Sequence, residues 1–124
     1  MKALIFNSGV GNRMGDFTRD NHKSMAVLSN GETIFGRQLR LLAAAGITEV
    51  VVTTGPHPEQ LRGVAAEFPT LEVSYVANEA YETTNYIYSM HLARELLDDD
   101  VLMLHGDLVF NRGALDGILA DPRP

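Results

Sequence analysis

A run of small and polar residues near the amino terminus has the composition of a phosphate-binding loop. Glycines, Arg13 and Lys23 follow a short apolar segment there. Glycine lets the backbone approach phosphate oxygens without a Cβ clash, and successive amides form a concave anion site. A guanidinium can fork onto two phosphate oxygens, whereas an ammonium acts as a point charge. The candidate nucleotide-binding residues of this loop are Asn7, Ser8, Gly9, Gly11, Asn12, Arg13 and Lys23.

Two common phosphate-binding motifs do not fit this loop. A dinucleotide-binding fingerprint needs a third glycine three residues after the second, and an acidic residue at the end of the second strand. Here the third glycine, Gly15, comes one position late, and the second apolar run ends in Thr53-Thr54-Gly55. A Walker loop needs a glycine directly before its lysine. His22 occupies that position before Lys23.

A third pattern does fit. The order Gly-x-Gly-x-Arg, then threonine, then lysine resembles the signature of the sugar and amino-alcohol nucleotidyltransferases, which reads Gly-x-Gly-x-Arg…Thr-x-x-x-Pro-Lys. The matching positions are Gly9, Gly11, Arg13, Thr18 and Lys23. The resemblance implies that Arg13 holds the β- and γ-phosphates and that Lys23 stabilises charge on the reacting α-phosphate. These two are therefore the candidate catalytic residues.

Two positions depart from that signature. Asn7-Ser8 stand before the first glycine, where other small residues are usual, and His22 replaces the proline before the lysine. The histidine gives up the rigidity of proline but leaves the charge of Lys23 in place. The alternative interpretation of the loop is a surface glycine turn with a solvated Arg13 and Lys23.

The segment from Tyr81 to Met90 indicates a smaller group within that family. It is similar to the Tyr…Asn…Tyr-Ser-Leu segment of the bacterial phosphocholine cytidylyltransferases, which precedes a helix and the metal-binding strand end. Asn85, with donors and acceptors, suits recognition of a base or ribose. Tyr86 and Tyr88 are candidate acceptor-binding residues, because aromatic faces attract quaternary ammonium groups. The alternative for both tyrosines is ordinary half-buried packing.

The sequence His105-Gly106-Asp107 ends the fourth apolar run. In the resembled family an aspartate at this point ligates a Mg²⁺ ion that bridges the triphosphate. The resemblance therefore implies Asp107 as a metal ligand and Mg²⁺ as the cofactor, and a hard cation prefers such oxygen ligands. The alternative is a turn or helix-capping role for Asp107. His105 is expected to pack or to support a ligand rather than to bind metal, and Gly106 to permit close backbone approach.

Hydrophobic patterns predict four strands that alternate with four helices. Short apolar runs predict strands at residues 3–6, 50–54, 71–76 and 101–104. Apolar stripes predict helices that begin at 32 or 33, 58, 83 or 84, and 112, and that end near 45, 68, 97 and 120. Gly46 is predicted to end the first helix in the left-handed conformation, and Pro58 to begin the second.

This alternation predicts an α/β protein with a mainly parallel sheet. The resemblance implies that it is the Rossmann-like three-layer α/β/α arrangement of the nucleotidyltransferases, with residues 1–124 as the nucleotide-binding part of one domain. Ligands of such sheets bind beyond the carboxyl ends of the strands. The segments after the first and fourth strands, residues 7–23 and 105–110, are therefore expected to face one site.

The bulk composition limits the class of protein. With 45% hydrophobic and 21% charged residues, the 124-residue chain has the makeup of one globular domain. A net charge of −6 without a basic cluster argues against nucleic acid as a partner. No apolar run is long enough for a membrane span or a signal peptide, so we expect a cytoplasmic protein without membrane contact. Because there are no cysteines, disulfides and thiolate metal sites are excluded.

Together with the resemblance, these features predict a Mg²⁺-dependent nucleotidyltransferase. It would transfer CMP from CTP to phosphocholine or a similar phosphorylated amino alcohol, with release of pyrophosphate. Aminoethylphosphonate is an equally credible acceptor, and another nucleoside triphosphate can take the place of CTP. The alternatives are a sugar-1-phosphate nucleotidyltransferase and a non-catalytic nucleotide-binding module or inactive fragment.

The resemblance also implies that the chain is the amino-terminal part of such an enzyme. Members of the family are much longer, and their later half carries a second metal-binding aspartate and much of the acceptor pocket. We therefore expect these 124 residues alone to bind nucleotide weakly and to catalyse nothing. A sheet cut at this point would expose an edge and apolar surface, which favours association, such as homo-oligomers, or aggregation.

Overall fold

The structure is a computed structural model that describes residues 1–7, 25–55, 58–78, 86–97, 100–106 and 109–120. The elements, in chain order, are β1 (Lys2–Asn7), α1 (Ile34–Ala44), β2 (Glu49–Thr54), α2 (Pro58–Ala65), β3 (Glu72–Ala77), α3 (Tyr86–Ala93), a 3₁₀ turn (Arg94–Leu96), β4 (Val101–His105) and α4 (Arg112–Ala120). The strict alternation of strands and helices confirms the predicted α/β class.

The four strands form one parallel sheet in the order β3-β2-β1-β4. β1 lies in its centre and is buried along almost its whole length. In register, Phe6 pairs with Thr53 of β2 and with His105 of β4. Because all strands run in the same direction, they end at one edge of the sheet. Their last residues are Asn7, Thr54, Ala77 and His105. This carboxyl edge is where ligands of such sheets bind.

Helices cover both faces of the sheet, which gives the predicted three layers. On one face, Ala3 and Ile5 pack with Phe35 of α1, Leu61 of α2 and Leu115 of α4. On the other face, Leu4, Phe6 and Val51 pack with Ala93, at the end of α3. The Rossmann-like three-layer α/β/α architecture is therefore confirmed.

The first helix forms where its sequence pattern predicts. Thr33 precedes it, and the Thr33 Oγ1 accepts a hydrogen bond of 3.0 Å from the Gly36 amide, which satisfies a donor that the helix leaves open. Phe35, Leu39 and Leu42 lie on one stripe and are all fully buried. Gly46 follows the helix with a φ of +88°. Glycine adopts this left-handed conformation without the strain that a Cβ would bring.

Two helices end earlier than their apolar patterns predict. α2 begins at Pro58, as predicted, but ends at Ala65 rather than near Phe68. Glu67 and Phe68 instead donate to carbonyls three residues back, at 3.0 Å each, and the proline at position 69 disfavours helical geometry in the residue before it. α3 ends at Ala93 and tightens into the 3₁₀ turn, so the prediction of a helix to residue 97 was wrong for the last turn.

β4 is less covered than the central strands. Leu102 and Leu104 are buried against the α1 side, but Met103 on the other face is 56% exposed. α3 packs mainly over β2 and β3, which lie beyond β1 as seen from β4, and β4 has one described strand neighbour, β1. Its side chains therefore alternate between buried and exposed along the strand. No helix of the described ranges is long and apolar enough to cross a membrane.

Candidate nucleotide-binding site

Of the candidate site residues, the structure describes Asn7 and Tyr88 in full and Tyr86 by its backbone. Asn7 ends β1 and is fully buried, and its backbone N–H donates to the Thr53 Oγ1 of β2 at 3.3 Å. Tyr88 lies on α3 with 42% of its surface exposed, and its ring centroid is 6.3 Å from that of His91. Tyr86 is the first residue of α3, and its side chain lies outside the described part of the protein.

The other candidate residues lie outside the described ranges. They are Ser8, Gly9, Gly11, Asn12, Arg13, Lys23, Asn85 and Asp107. Their roles remain predictions from the sequence. The structure places the ends to which they are attached: the end of β1 before the glycine loop, the start of α3 after Asn85, and the end of β4 before Asp107.

Gly106 brings the ends of β1 and β4 into close contact. Its amide donates to the Phe6 carbonyl at 2.9 Å, which extends the ladder between the strands by one residue. A Cβ on Gly106 would lie 2.6 Å from the Phe6 carbonyl oxygen and would overlap the Asn7 Oδ1. The predicted close approach at Gly106 is confirmed. His105 is exposed at the end of β4, and its ring centroid lies 5.6 Å from that of Phe6.

A buried polar contact fixes α3 to the sheet. Asn78 directly follows β3, and its Nδ2 donates to the Ser89 Oγ at 3.0 Å. Both side chains are almost completely buried. The contact sets the distance between the carboxyl edge and the turn of α3 that carries Tyr88. Sequence reasoning missed this pair, although the position of Asn78 at a strand end, like that of Asn7, was a usable signal.

Two adjacent residues of α1 contact the segment between β4 and α4. Gln38 donates from Nε2 to the His105 carbonyl at 3.0 Å. Arg37 donates from Nε and Nη2 to the Phe110 carbonyl, at 3.2 and 3.1 Å. These contacts were also missed. The signal in the sequence is a glutamine three residues after Phe35, on the apolar stripe of the helix.

The charged groups at the start of α1 form a compact network. Glu32 accepts hydrogen bonds from Arg40 Nε at 2.6 Å, from Arg40 Nη2 at 2.9 Å and from Asn30 Nδ2 at 2.7 Å. The hydrogen bond from Arg40 is the main reason that the pKa of Glu32 falls from 4.5 to about 2, and the one from Asn30 adds to it. Arg37 also lies 3.7 Å from the same carboxylate. The network holds Arg37 beside the segment that it contacts.

This network predicts a specific pH dependence of stability. Because the pKa of Glu32 is lowered on folding, its carboxylate stabilises the fold fully above pH 4.5, and this contribution is lost as the pH falls towards 2. We expect Glu32→Gln to lower the urea midpoint at pH 6 and to flatten its decline between pH 4.5 and 2. Urea unfolding at several pH values measures this, with Glu67→Gln as a surface control. Equal slopes for Glu32→Gln and the wild type would contradict the assignment.

A cleft of about 160 Å³ lies at the opposite edge of the sheet, where the strands begin. Its lining includes Lys2, Glu49 and Glu72. Lys2 Nζ donates to the Leu96 carbonyl at 3.0 Å and lies 3.6 Å from the Glu49 carboxylate. Ligands of parallel sheets bind at the other edge. The cleft is therefore separate from the candidate site.

No group of three or more His, Cys, Asp or Glu residues that could hold a metal occurs within the described ranges. The oxygen atoms at the carboxyl edge are nevertheless of the kind that a hard cation prefers. The Asn7 amide oxygen lies against Gly106, and Asp107 is the next residue along the chain. This donor chemistry fits Mg²⁺.

Comparison with known proteins identifies relatives of this chain. The family model described as the MobA-like NTP transferase domain matches residues 3–122. CMP-5'-(3-aminopropyl)phosphonate synthase of Streptomyces rubellomurinus is 35% identical over 98% of this chain and 19% of its own length. Choline-phosphate cytidylyltransferase of Haemophilus influenzae is 32% identical over 90% of this chain and 46% of its own length.

Solved structures of nucleotidyltransferases share this fold. CTP:phosphocholine cytidylyltransferase of Streptococcus pneumoniae superposes with a TM-score of 0.78 and 24% identity, over 90% of this chain and 47% of that one. At this identity the match shows the fold alone. The chain spans less than half the length of each of the curated relatives named above.

Proposed function

Because the chain belongs to the MobA-like NTP transferase domain family, we propose that it forms the nucleotide-binding part of a cytidylyltransferase. The enzyme would transfer CMP from CTP to a small phosphorylated or phosphonylated amino alcohol or alkylamine. The observation that carries this proposal is the identity of 35% and 32% to two proteins named for making a CMP-aminoalkylphosphonate and for cytidylyl transfer to choline phosphate. The segment with Asn85, Tyr86 and Tyr88 supports the same acceptor class.

The chemistry needs positioning and charge more than a protein nucleophile. An anionic oxygen of the acceptor attacks the α-phosphorus of CTP, a new P–O bond forms, and the bond to the β-phosphate oxygen breaks to release pyrophosphate. Fixed cations stabilise the charge that develops on the oxygens in the transition state. We assign this role at the α-phosphate to Lys23, and assign the grip on the β- and γ-phosphates to Arg13 and to the amides of the glycine loop.

Asp107 is the residue that we propose as a ligand of Mg²⁺. When bound, the ion neutralises phosphate charge. Gly106 allows β4 to end directly against β1, with the Phe6 carbonyl as the partner of its amide. Gly106 precedes Asp107 in the sequence and is hydrogen-bonded to β1, the strand that leads into the glycine loop. This contact between the two chain segments supports a shared site for the metal ligand and the loop.

Tyr88 is suited to contact a cationic acceptor, because 42% of its surface is exposed and the next residue on α3, Ser89, is bonded to Asn78 directly after β3. A cation over an aromatic ring gains about 1 kcal/mol at such a site. We expect Tyr88→Ala to raise the KM for phosphocholine about fivefold with little change in the KM for CTP. Steady-state kinetics with each substrate varied in turn measures this. Tyr88→Phe, which keeps the ring, is the control, and an equal rise in both KM values would contradict the role.

The proposed activity is tested by an assay of the full-length protein. Pyrophosphate release is measured with CTP and Mg²⁺, with phosphocholine or 2-aminoethylphosphonate as the acceptor. Release that depends on both substrates supports the proposal. Activity only with UTP or dTTP and a hexose 1-phosphate would replace it with the sugar-1-phosphate alternative. CTP binding without turnover on any acceptor would show a non-catalytic nucleotide-binding module.

A further inference from the structure

Arg37 and Gln38, neighbours on α1, fix both ends of the segment that joins β4 to α4. Gln38 contacts the His105 carbonyl at the start of this segment, at 3.0 Å. Arg37 forks onto the Phe110 carbonyl at its end, at 3.2 and 3.1 Å. Each contact joins residues about 70 positions apart in the sequence, 67 for Gln38 and 73 for Arg37. One turn of one helix therefore determines where the segment begins and ends.

Packing alone does not account for Gln38. Its side chain is 1% exposed and lies on the stripe that Phe35 and Leu42 fill. A buried amide costs free energy unless it makes hydrogen bonds, whereas leucine at such a position would bring apolar contacts with no polar group to satisfy. The side-chain amide donates a hydrogen bond to the His105 carbonyl, which leucine could not do.

Two further contacts restrain the same segment. Gly106 donates to the Phe6 carbonyl at 2.9 Å. Asn111 Oδ1 accepts from the Ala114 amide at 2.8 Å and so caps the start of α4. Main-chain atoms are thus fixed at residues 105, 106 and 110, and residue 111 is fixed by its side chain. Asp107 follows the first pair directly.

We propose that Arg37 and Gln38 are positioning residues for the Asp107 carboxylate. The inference rests on the proposed function, in which Asp107 is a Mg²⁺ ligand. The two side chains act through the carbonyls of His105 and Phe110, not by contact with nucleotide or metal. Mg²⁺ demands near-octahedral geometry and tolerates little displacement of its ligands. Loosening either end of the segment therefore weakens metal binding first.

Metal affinity is the measurement that tests this. Binding of Mn²⁺ to the complete protein in the presence of CTP is followed by the electron paramagnetic resonance signal of free Mn²⁺. We expect Gln38→Leu and Arg37→Met each to weaken Mn²⁺ binding about tenfold, as loss of supporting contacts around a metal ligand does. In kinetics the metal concentration for half-maximal rate should rise, while kcat at saturating metal changes less than about twofold.

Arg62→Met is the matched control. Arg62 lies on α2, and its guanidinium carbon is 4.1 Å from the centroid of the Tyr75 ring. Its removal should leave Mn²⁺ affinity unchanged. If Gln38→Leu does not fold, Arg37→Met decides the question, because the Arg37 side chain is 23% exposed and its loss leaves no closed cavity.

The two proposals can fail separately. If Asp107→Asn weakens Mn²⁺ binding but the Arg37 and Gln38 variants bind like the wild type, the positioning role is wrong and the proposed function stands. If Asp107→Asn itself binds Mn²⁺ like the wild type, the metal role of Asp107 is wrong and the inference falls with it. If the Arg62 control loses affinity equally, the effect follows the loss of any arginine, and the specific role of Arg37 and Gln38 is refuted.

Discussion

Replacement of Lys23 by alanine should lower kcat about 100- to 1,000-fold, the loss that follows removal of one group that stabilises transition-state charge. The side chain is assigned to the α-phosphate, where negative charge accumulates as the acceptor attacks. The KM for CTP should change much less than kcat, because the proposed contacts of Arg13 and the loop amides with the β- and γ-phosphates are kept. Pyrophosphate release by the complete protein, with CTP and acceptor varied separately, measures both constants.

A second variant separates the contribution of the Lys23 charge to activity from that of its shape. Lys23→Arg keeps the positive charge but replaces a compact ammonium with a planar fork. It should recover part of the lost activity. Arg112→Ala is the control for the loss of a cation, because Arg112 pairs with Asp116 on the exposed face of α4 at 2.8 Å. A Lys23→Ala enzyme with wild-type kcat and an unchanged unfolding transition would show that the sequence signature was assigned to the wrong function.

Local patterns were sufficient to predict most of the fold. The apolar run of β1, the apolar stripe of α1 and the left-handed Gly46 each depend on residues within a few positions of one another. All three are observed. The ends of α2 and α3 were less predictable, because the apolar pattern continues into a tighter turn whose hydrogen bonds reach back three residues instead of four.

The supporting contacts of the site could not be predicted in the same way. The bonds of Gln38 to His105 and of Asn78 to Ser89 join different elements across the sheet or its end. These hydrogen bonds form only once the helices and strands have packed, and that packing cannot be predicted from a single sequence. A polar residue on an apolar stripe marks that a partner exists, but not which carbonyl it meets. For the glycine loop the sequence is more informative than the structure. Its local spacing carries the resemblance, whereas its residues after Asn7 lie outside the described ranges.

Replacement of Gly106 by alanine should have the largest effect among single changes at the described carboxyl edge. The new Cβ would lie 2.6 Å from the Phe6 carbonyl oxygen and would overlap the Asn7 side chain. Neither neighbour can yield easily, because β1 is paired on both sides and Asn7 is fully buried. Overpacking of this kind costs about 1–3 kcal/mol. The displaced strand end carries Asp107, so Mn²⁺ affinity should fall together with stability.

Gly117→Ala is the matched control for this change. Gly117 lies inside α4, and a Cβ there would meet nothing within 4 Å. Alanine is favoured over glycine within a helix by about 1 kcal/mol, so this variant should be more stable than the wild type. The same substitution thus has opposite signs at two positions, and urea unfolding of both variants measures the difference. If Gly106→Ala were as stable as Gly117→Ala, the close contact between the ends of β1 and β4 would not constrain the site, and Asp107 would be placed by some other part of the protein.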